Sequence, residues 1–238
     1  ETVGPIRSAR KYFIDVAKGF DAFYVAHGYS PEAKVLLEKG VVDHFNGIQY
    51  DGVYFTRMKH RKAPHNSYLT QENFKLAEKK LKFELEAQNF VPYSFYEKDE
   101  DVKIGMAAPT IHVKLSNAKS YQSVYEYVEP EGTYSRTQGD KLSTDELTDE
   151  PVAISNLLFF EIPHHVVDQE GRRELDLTVG GRAYIAQQGM MREVEWKNRD
   201  GQLVAIESNG REVLLVPGQT WVHFVPTKPG IESAVTLQ

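Results

Sequence analysis

The hydrophobic period of this chain changes once, near Pro109, and that change constrains its fold more than any other feature. From Pro109 on, every candidate segment has the two-residue period of a strand. They are Ile111 to Leu115, Val124 to Val128, Val152 to Ile162, Leu175 to Val179, Ala183 to Gln187, Val194 to Trp196, Leu203 to Ile206, Val213 to Val216 and Trp221 to Val225. Turn pairs such as Glu131-Gly132, Gly180-Gly181, Asp200-Gly201, Asn209-Gly210 and Pro217-Gly218 separate them. The expectation for residues 108–238 is an antiparallel β-domain, sandwich or barrel-like, without a long helix. Gly139 to Glu150 carries Asp140, Asp145, Glu146, Asp149 and Glu150 without an apolar period and reads as a mobile acidic loop.

Before Pro109 helical and extended patterns alternate. Pro5 suits the first turn of a helix with Ala9, Phe13, Val16 and Ala17 at a 3.6-residue period and Gly19 as its left-handed end. Phe20 to Ala26 reads as a central strand, and His27-Gly28-Tyr29-Ser30 as the loop after it. A second helix runs from Pro31 to Glu38 with Ser30 as N-cap. Between the turns Asn46-Gly47 and Asp51-Gly52 and beyond lie short strand pieces such as Val53 to Phe55. A third helix runs from Thr70, its cap, to about Phe83, and the acids from Glu97 to Asp101 read as a surface turn or linker. The predicted whole is α+β: an α/β domain with a mixed sheet and helices over residues 1–107, then the β-domain over 108–238.

Composition removes several function classes. A net charge of -6 argues against a general nucleic-acid binder, which gains its affinity from a basic face that releases counterions. No run approaches the roughly 18 apolar residues of a spanning helix. The absence of cysteine removes disulfides, thiolate nucleophiles and cysteine-based zinc sites together. The chain opens at Glu1-Thr2-Val3, without Met, basic region or apolar region, so any targeting segment is expected to precede it.

Within this acidic chain the basic residues are unevenly placed. Arg7 and Arg10 stand three apart beside the first predicted helix start, where amides and dipole add to their pull on an anion. The run from Gly52 to Gln71 contains Arg57, Lys59, Arg61, Lys62, His65 and Asn66 and no acid. The two segments read as the walls of an anion site, with Arg57 and Arg61 gripping and His65 donating a hydrogen bond or proton. The opposing reading pairs Arg7 and Arg10 with Asp15, Asp21 or Asp51 and makes the loop a basic surface. His27 joins the candidates because strand C-termini of α/β sheets open onto ligand crevices.

Other chemistry is weaker. Ser8 and Ser30 lack a demonstrable base and oxyanion hole, and Ser30 is better explained as a cap. His164 and His165 are adjacent on a strand and point to opposite faces, so no metal site is predicted, nor any cofactor. Tyr12, Tyr29, Tyr54 and Trp221 are candidate stacking surfaces for sugar rings.

Gly4-Pro5-Ile6-Arg7-Ser8-Ala9-Arg10, Tyr12-Phe13, Phe20-Asp21-Ala22, Gly28 with Ser30-Pro31-Glu32-Ala33, and Ala63-Pro64-His65-Asn66 together resemble the YerB-like "putative lipoprotein" family of Firmicutes. The match preserves order over most of Gly4 to Thr70 and continues weakly through Asn156 and Gly218-Gln219-Thr220-Trp221. The resemblance implies an exported protein, lipid-anchored on the outer face of the cell membrane, with an N-terminal α/β domain and a C-terminal β-domain. It supplies no activity. Family members carry a lipidation signal and several dozen further residues before the Gly-Pro-Ile-Arg motif, so the first domain here is expected to lack its N-terminal segment and the anchor.

The resulting expectation is a non-catalytic envelope module that binds an anionic cell-wall polymer, or a partner protein of the envelope, through Arg7, Arg10, His27, Arg57, Arg61, His65 and Asn66. The alternative is a hydrolase or transferase acting on such a polymer, with His65 or His27 as acid or base. Geometry separates them, because an enzyme needs a histidine that reaches a carboxylate beside a pocket.

Overall fold

The computed structural model of the chain describes residues 1–97 and 100–238. It divides into two compact units, Glu1–Val91 with Arg199–Gln202, and Pro92–Asn198 with Leu203–Gln238.

In the first unit the elements are β1 (Thr2–Val3), α1 (Lys11–Gly19), β2 (Tyr24–Ala26), α2 (Pro31–Glu38), β3 (His44–Asn46), α3 (Gly47–Tyr50), β4 (Phe55–Arg57), β5 (Ser67–Thr70) and α4 (Gln71–Leu81). Strands β1, β5 and β4 form an antiparallel sheet with β5 in the centre, and β2 pairs with β3 in parallel. Local chemistry explains two helices directly: Ser30 Oγ accepts from the Ala33 amide and Thr70 Oγ1 from the Asn73 amide. Two apolar clusters fill the unit. Ile14, Ala17, Ala26, Ala33, Leu37 and Val42 pack α1 and α2 on the parallel pair, while Phe45, Tyr54, Phe55, Leu69 and Ala77 gather under α4.

The predicted first helix starts later than its apolar period suggests. Residues 5–10 are not helical; α1 begins at Lys11 with Arg10 as N-cap. The preceding segment is hydrogen-bonded on both sides instead. The Ile6 amide donates to Ser67 O, the His27 amide to Arg7 O, the Ala9 amide to Gly28 O and the Ser30 amide to Ala9 O. Those bonds satisfy the backbone as a strand would, and tertiary pairing overrides a local helical pattern. Ala9 enters the first cluster and Ile6 the second, so this short extended piece fastens both cores. The predicted central strand is likewise reduced to Tyr24–Ala26, because Phe20 is the C-cap of α1 and Asp21 adopts a left-handed conformation at φ 48°.

The second unit contains β6 (Met106–Ala107), β7 (Thr110–Lys114), β8 (Gln122–Val128), β9 (Thr133–Gln138), β10 (Lys141–Leu142), β11 (Asn156–Ile162), β12 (His164–Val166), β13 (Arg173–Leu175), β14 (Gly181–Gln187), β15 (Met190–Arg199), β16 (Gln202–Ile206), β17 (Thr220–Pro226), the four-residue α5 (Ile231–Ala234) and β18 (Val235–Leu237). One sheet has the order β10-β9-β8-β7-β18; the other runs β16-β15-β14-β11-β17, with β6 added to β15, and β12 and β13 form a separate hairpin. Their inner faces share one core, with Ile111, Val113, Tyr125 and Tyr134 from the first sheet and Leu157, Phe159, Ala186, Met191 and Val225 from the second. The class is α+β, as the change of period implies. One pair departs from the antiparallel rule, since β17 runs parallel to β11 from Asn156↔Thr220 to Ile162↔Pro226.

Residues 92–97 and 100–107, assigned by period to the first domain, pack within this unit: Tyr93 Oη donates to Leu203 O, the Tyr96 amide to Leu215 O, and Met106–Ala107 pairs with β15. Backbone pairing places them, which a side-chain period does not register. Of the acidic run predicted as a turn or linker, Lys98 and Asp99 lie outside the described residues. The loop after β10 is built as a capped turn, with Asp145 Oδ1 accepting the Leu147 and Thr148 amides and Ser143 paired back to Arg136. Val213 to Val216, predicted as a strand, contributes single bridges.

Asn156 is fully buried and fully satisfied. Its Nδ2 donates to Val216 O and Thr220 Oγ1, and its Oδ1 accepts from Gln187 Nε2 and the Val216 amide. Thus two of the residues that carry the family resemblance, Asn156 and Thr220, tie the chain before β17 to β11.

A neutral histidine lies in the same core. Tyr125 Oη accepts from Arg136 Nε at 3.1 Å and is hydrogen-bonded to His223 Nε2 at 2.5 Å. His223 also stacks on Phe159, with ring centroids 5.1 Å apart. Burial first, then the Arg136 charge, push the His223 imidazole down to about 4. With the folded value below the unfolded one, the stabilisation is complete above about pH 6.5 and is lost as pH falls from there towards about 4. Urea denaturation across this window should show a loss of about 3 kcal/mol from this group. In His223→Gln that part of the pH dependence should vanish, and an unchanged slope would contradict the assignment.

Candidate functional site

The predicted site residues converge where the Ile6–Arg10 segment passes the C-terminal ends of β2 and β3, but they divide into two groups with different roles. Three backbone devices shape the place. Asn46, 4% exposed, accepts the Gly28 and Ile48 amides on Oδ1 and donates to Gly28 O, so the end of β3 grips the loop after β2. Gly47 lies so close to the His27 ring that a Cβ there would stand 2.3 Å from Nδ1. Gly52, at φ +72°, turns the chain so that Asp51 faces Arg57.

The inner group is a closed chain of contacts. Arg57 Nε reaches both Asp51 oxygens at 3.2 and 3.0 Å, and NH2 lies 2.9 Å from Asp51 Oδ2. Its NH1 donates to Asn66 Oδ1 at 3.1 Å and its NH2 to His27 Nε2 at 2.7 Å. A guanidinium only donates, so Nε2 of His27 accepts, and the ring proton sits on Nδ1, which donates to Ser67 Oγ at 2.7 Å. The His27 side chain is 8% exposed and Ser67 is fully buried. Burial and then the Arg57 charge lower the His27 pKa, against a smaller upward pull from Asp51. His27 is thus a neutral link between Arg57 and Ser67.

This arrangement answers the catalytic reading of His27. Arg57 stands at the nitrogen a base would use, the Asp51 carboxylate is 3.7 Å from Nε2 and engaged by Arg57, and the Ser67 hydroxyl on the ring is buried. Arg57, expected to grip a ligand, has its guanidinium engaged by Asp51, Asn66 and His27. The run Gly52 to Gln71 is acid-free, but its counterion is Asp51, one residue outside it.

The outer group is Arg7 with His65. Both are exposed, and Arg7 NH1 donates to His65 Nδ1 at 2.6 Å. Among the described residues neither has a carboxylate partner. The pair adjoins the inner group, since Arg7 O accepts the His27 amide and His65 precedes Asn66. Arg10 also has no ion pair among the described residues; its NH1 donates to Ala9 O and its charge lies near Tyr12 and Tyr24, whose hydroxyl pKa values burial raises. Because Arg7 and Arg10 precede α1, the predicted help from helix amides and dipole does not reach Arg7. Arg61 is exposed in the β4–β5 connection.

Of the aromatic candidates, Tyr54 is buried and Tyr29 is 37% exposed beneath Lys34. Ser8 donates to His27 O, and Ser30 is a cap. A small cavity of about 150 Å³ lies at the other end of the parallel pair, lined by Ala22, Phe23, Val42, Asp43, Glu84 and Glu86 among others, away from every predicted residue. Sequence reasoning named Asp51 only as a partner for Arg7 or Arg10, not for Arg57, and missed Ser67. The first was visible as the acid nearest the basic run; the second, a serine in a strand, carried no signal.

Fold and site together define a two-unit α+β protein whose conspicuous polar feature is an arginine cluster, half internal and half exposed. The chain belongs to the family of proteins of unknown function DUF3048: its N-terminal domain model matches residues 1–84 and its C-terminal domain model residues 111–222. It is 37% identical over 227 residues to the "Putative lipoprotein YerB" of Bacillus subtilis (strain 168), covering 95% of this chain and 67% of that protein. The crystal structure of YerB protein from Bacillus subtilis superposes with a TM-score of 0.87 at 35% identity, covering 100% of this chain and 78% of that one.

Arg57→Ala strands Asp51, Asn66 and the inward-facing Nε2 of His27. Unfolding should become easier by about 1–3 kcal/mol, towards the lower end because the Arg57–Asp51 pair is more than a third exposed. Arg7→Ala, which strands no buried group, should leave stability within about 0.5 kcal/mol. Chemical denaturation of both variants checks this; the reverse order would show the roles are exchanged.

Proposed function

We propose that this protein is a lipid-anchored, non-catalytic module of the cell envelope that binds an anionic cell-wall polymer through the exposed Arg7–His65 surface, with Arg10 alongside. One observation carries the reading: Arg7, in a chain of net charge -6, is held at the surface by the His65 imidazole and by no carboxylate among the described residues. An exposed guanidinium with no counterion keeps its fork available for a phosphate or carboxylate. The inner Asp51–Arg57–His27–Ser67 chain supplies the rigid base, since it fixes the backbone on either side of Arg7 and of His65. The name of the Bacillus subtilis relative supports the envelope setting. There, membrane fractions of cells expressing the natural gene should contain the protein, and cytosolic recovery would remove that part of the proposal.

Binding is tested by titrating the purified chain with soluble anionic wall polymer at two salt concentrations. Each charge-assisted contact contributes roughly 1.5–3 kcal/mol, so Arg7→Ala should weaken binding tenfold or more, and added salt should weaken the unaltered protein. Arg7→Lys should recover part of the loss, keeping charge without the fork. No binding, or binding indifferent to both Arg7→Ala and salt, would overturn the proposal.

A further inference from the structure

The β-unit also contains an arginine, Arg136, with no carboxylate partner among the described residues, and this one is partly buried. Arg136 on β9 stands opposite Tyr125 on β8 and shares a face with Tyr134, two residues before it. Tyr125 and Tyr134 are both fully buried in the core, so this face points inward and Arg136 projects between the sheets. Strand β17, the edge of the opposite sheet, brings Trp221 over it, with the guanidinium carbon 5.0 Å from the ring centroid.

Every partner of Arg136 among the described residues is neutral. Nε donates to Tyr125 Oη at 3.1 Å, NH1 to Ser143 Oγ at 2.9 Å and NH2 to Ser123 Oγ at 3.0 Å. Tyr125 is hydrogen-bonded in turn to His223, whose pKa burial lowers. Other arginines of the unit provide the contrast. Arg192, 9% exposed, pairs with Glu207, and Arg172, 32% exposed, pairs with Asp168 and Glu170. Desolvating a cation without a counter-charge is costly, and proteins ordinarily avoid it. Here the counter-charge is missing among the described residues while the donors are assembled. Three of five guanidinium N–H groups are used, and the Ser123 and Ser143 hydroxyls accept from Arg136, which leaves their own protons to donate.

We propose that Arg136, Ser123 and Ser143 form an oxyanion site for a small ligand bearing a carboxylate or phosphate group, whose organic part lies against Trp221. The site is independent of the Arg7–His65 surface. Its charge-neutral cradle explains why a partly buried guanidinium is kept without a carboxylate: the ligand brings it.

The test uses the full chain, titrated separately with inorganic phosphate and with acetate, with chloride at matched ionic strength as control. Binding is followed by calorimetry and by indole emission, to which Trp221 is the responsive contributor because Trp196 is fully buried in the core. Saturable binding of phosphate or acetate is expected, and the anion that binds names the class. Bound anion should also raise the melting temperature by mass action. Arg136→Gln should weaken binding at least tenfold while leaving stability in anion-free buffer unchanged or raised, since it removes an uncompensated buried charge. Should that variant fail to fold, the double variant Ser123→Ala/Ser143→Ala keeps the charge and should weaken binding several-fold. A chain that responds to neither anion beyond the chloride control would overturn the proposal. So would binding unaffected by both variants, or a folded Arg136→Gln markedly less stable in anion-free buffer, which would make Arg136 a strut.

Discussion

The first unit depends on one extended segment, Ile6 to Arg10, held between the β5 strand and the loop after β2. Its four backbone hydrogen bonds and its two buried side chains, Ile6 in one cluster and Ala9 in the other, join cores that α1, α2 and α4 would otherwise leave separate. The polar chain Asp51–Arg57–His27–Ser67 crosses at the same point and adds side-chain bonds to the backbone ones. Once that crossing is fixed, Arg7 and His65 have no freedom to be elsewhere than at the surface beside it.

This arrangement explains why arginines of similar sequence context have different fates. Arg57 is paired in register with Ser67, so its guanidinium lies along the sheet towards His27 and Asp51. Arg7 follows the buried Ile6 on an extended segment, and alternation from that residue leaves it outside. In the second unit the alternation of β9 puts Arg136 inward, where a carboxylate would be expected and none is among the described residues. The same rule, two-residue period on an extended chain, thus produces a clamp, an exposed donor and a partly buried donor.

Much of the fold was legible because it is local. The two-residue period after Pro109 marks strands most of which form, Leu175 to Val179 and Val213 to Val216 excepted, and the Ser30 and Thr70 caps mark helices that do begin there. What escaped was non-local. Ala9, Phe13, Val16 and Ala17 share a helical period, yet Ala9 belongs to an extended segment because Gly28 and Ser30 supply its backbone partners. The parallel β11–β17 pair joins strands far apart in the chain, which no turn signal announces. Of the candidate site, the residues were found but their partners were not: Asp51 lies just outside the acid-free window, and Ser67 becomes a partner of His27 only through the sheet. Arg136 had a signal that went unread, a charged residue in the same register as a core tyrosine in Thr133–Gln138.

The central claim is that His27 is a neutral link, protonated on Nδ1 and accepting from Arg57 on Nε2, rather than a base facing a ligand. Nitrogen-15 NMR of the imidazole tests it most directly. The account predicts the Nδ1–H tautomer, with Nε2 unprotonated and a midpoint below 6.5, and release of both features in Arg57→Ala. An Nε2–H tautomer, or a midpoint at or above 6.5 that ignores Arg57, would contradict it.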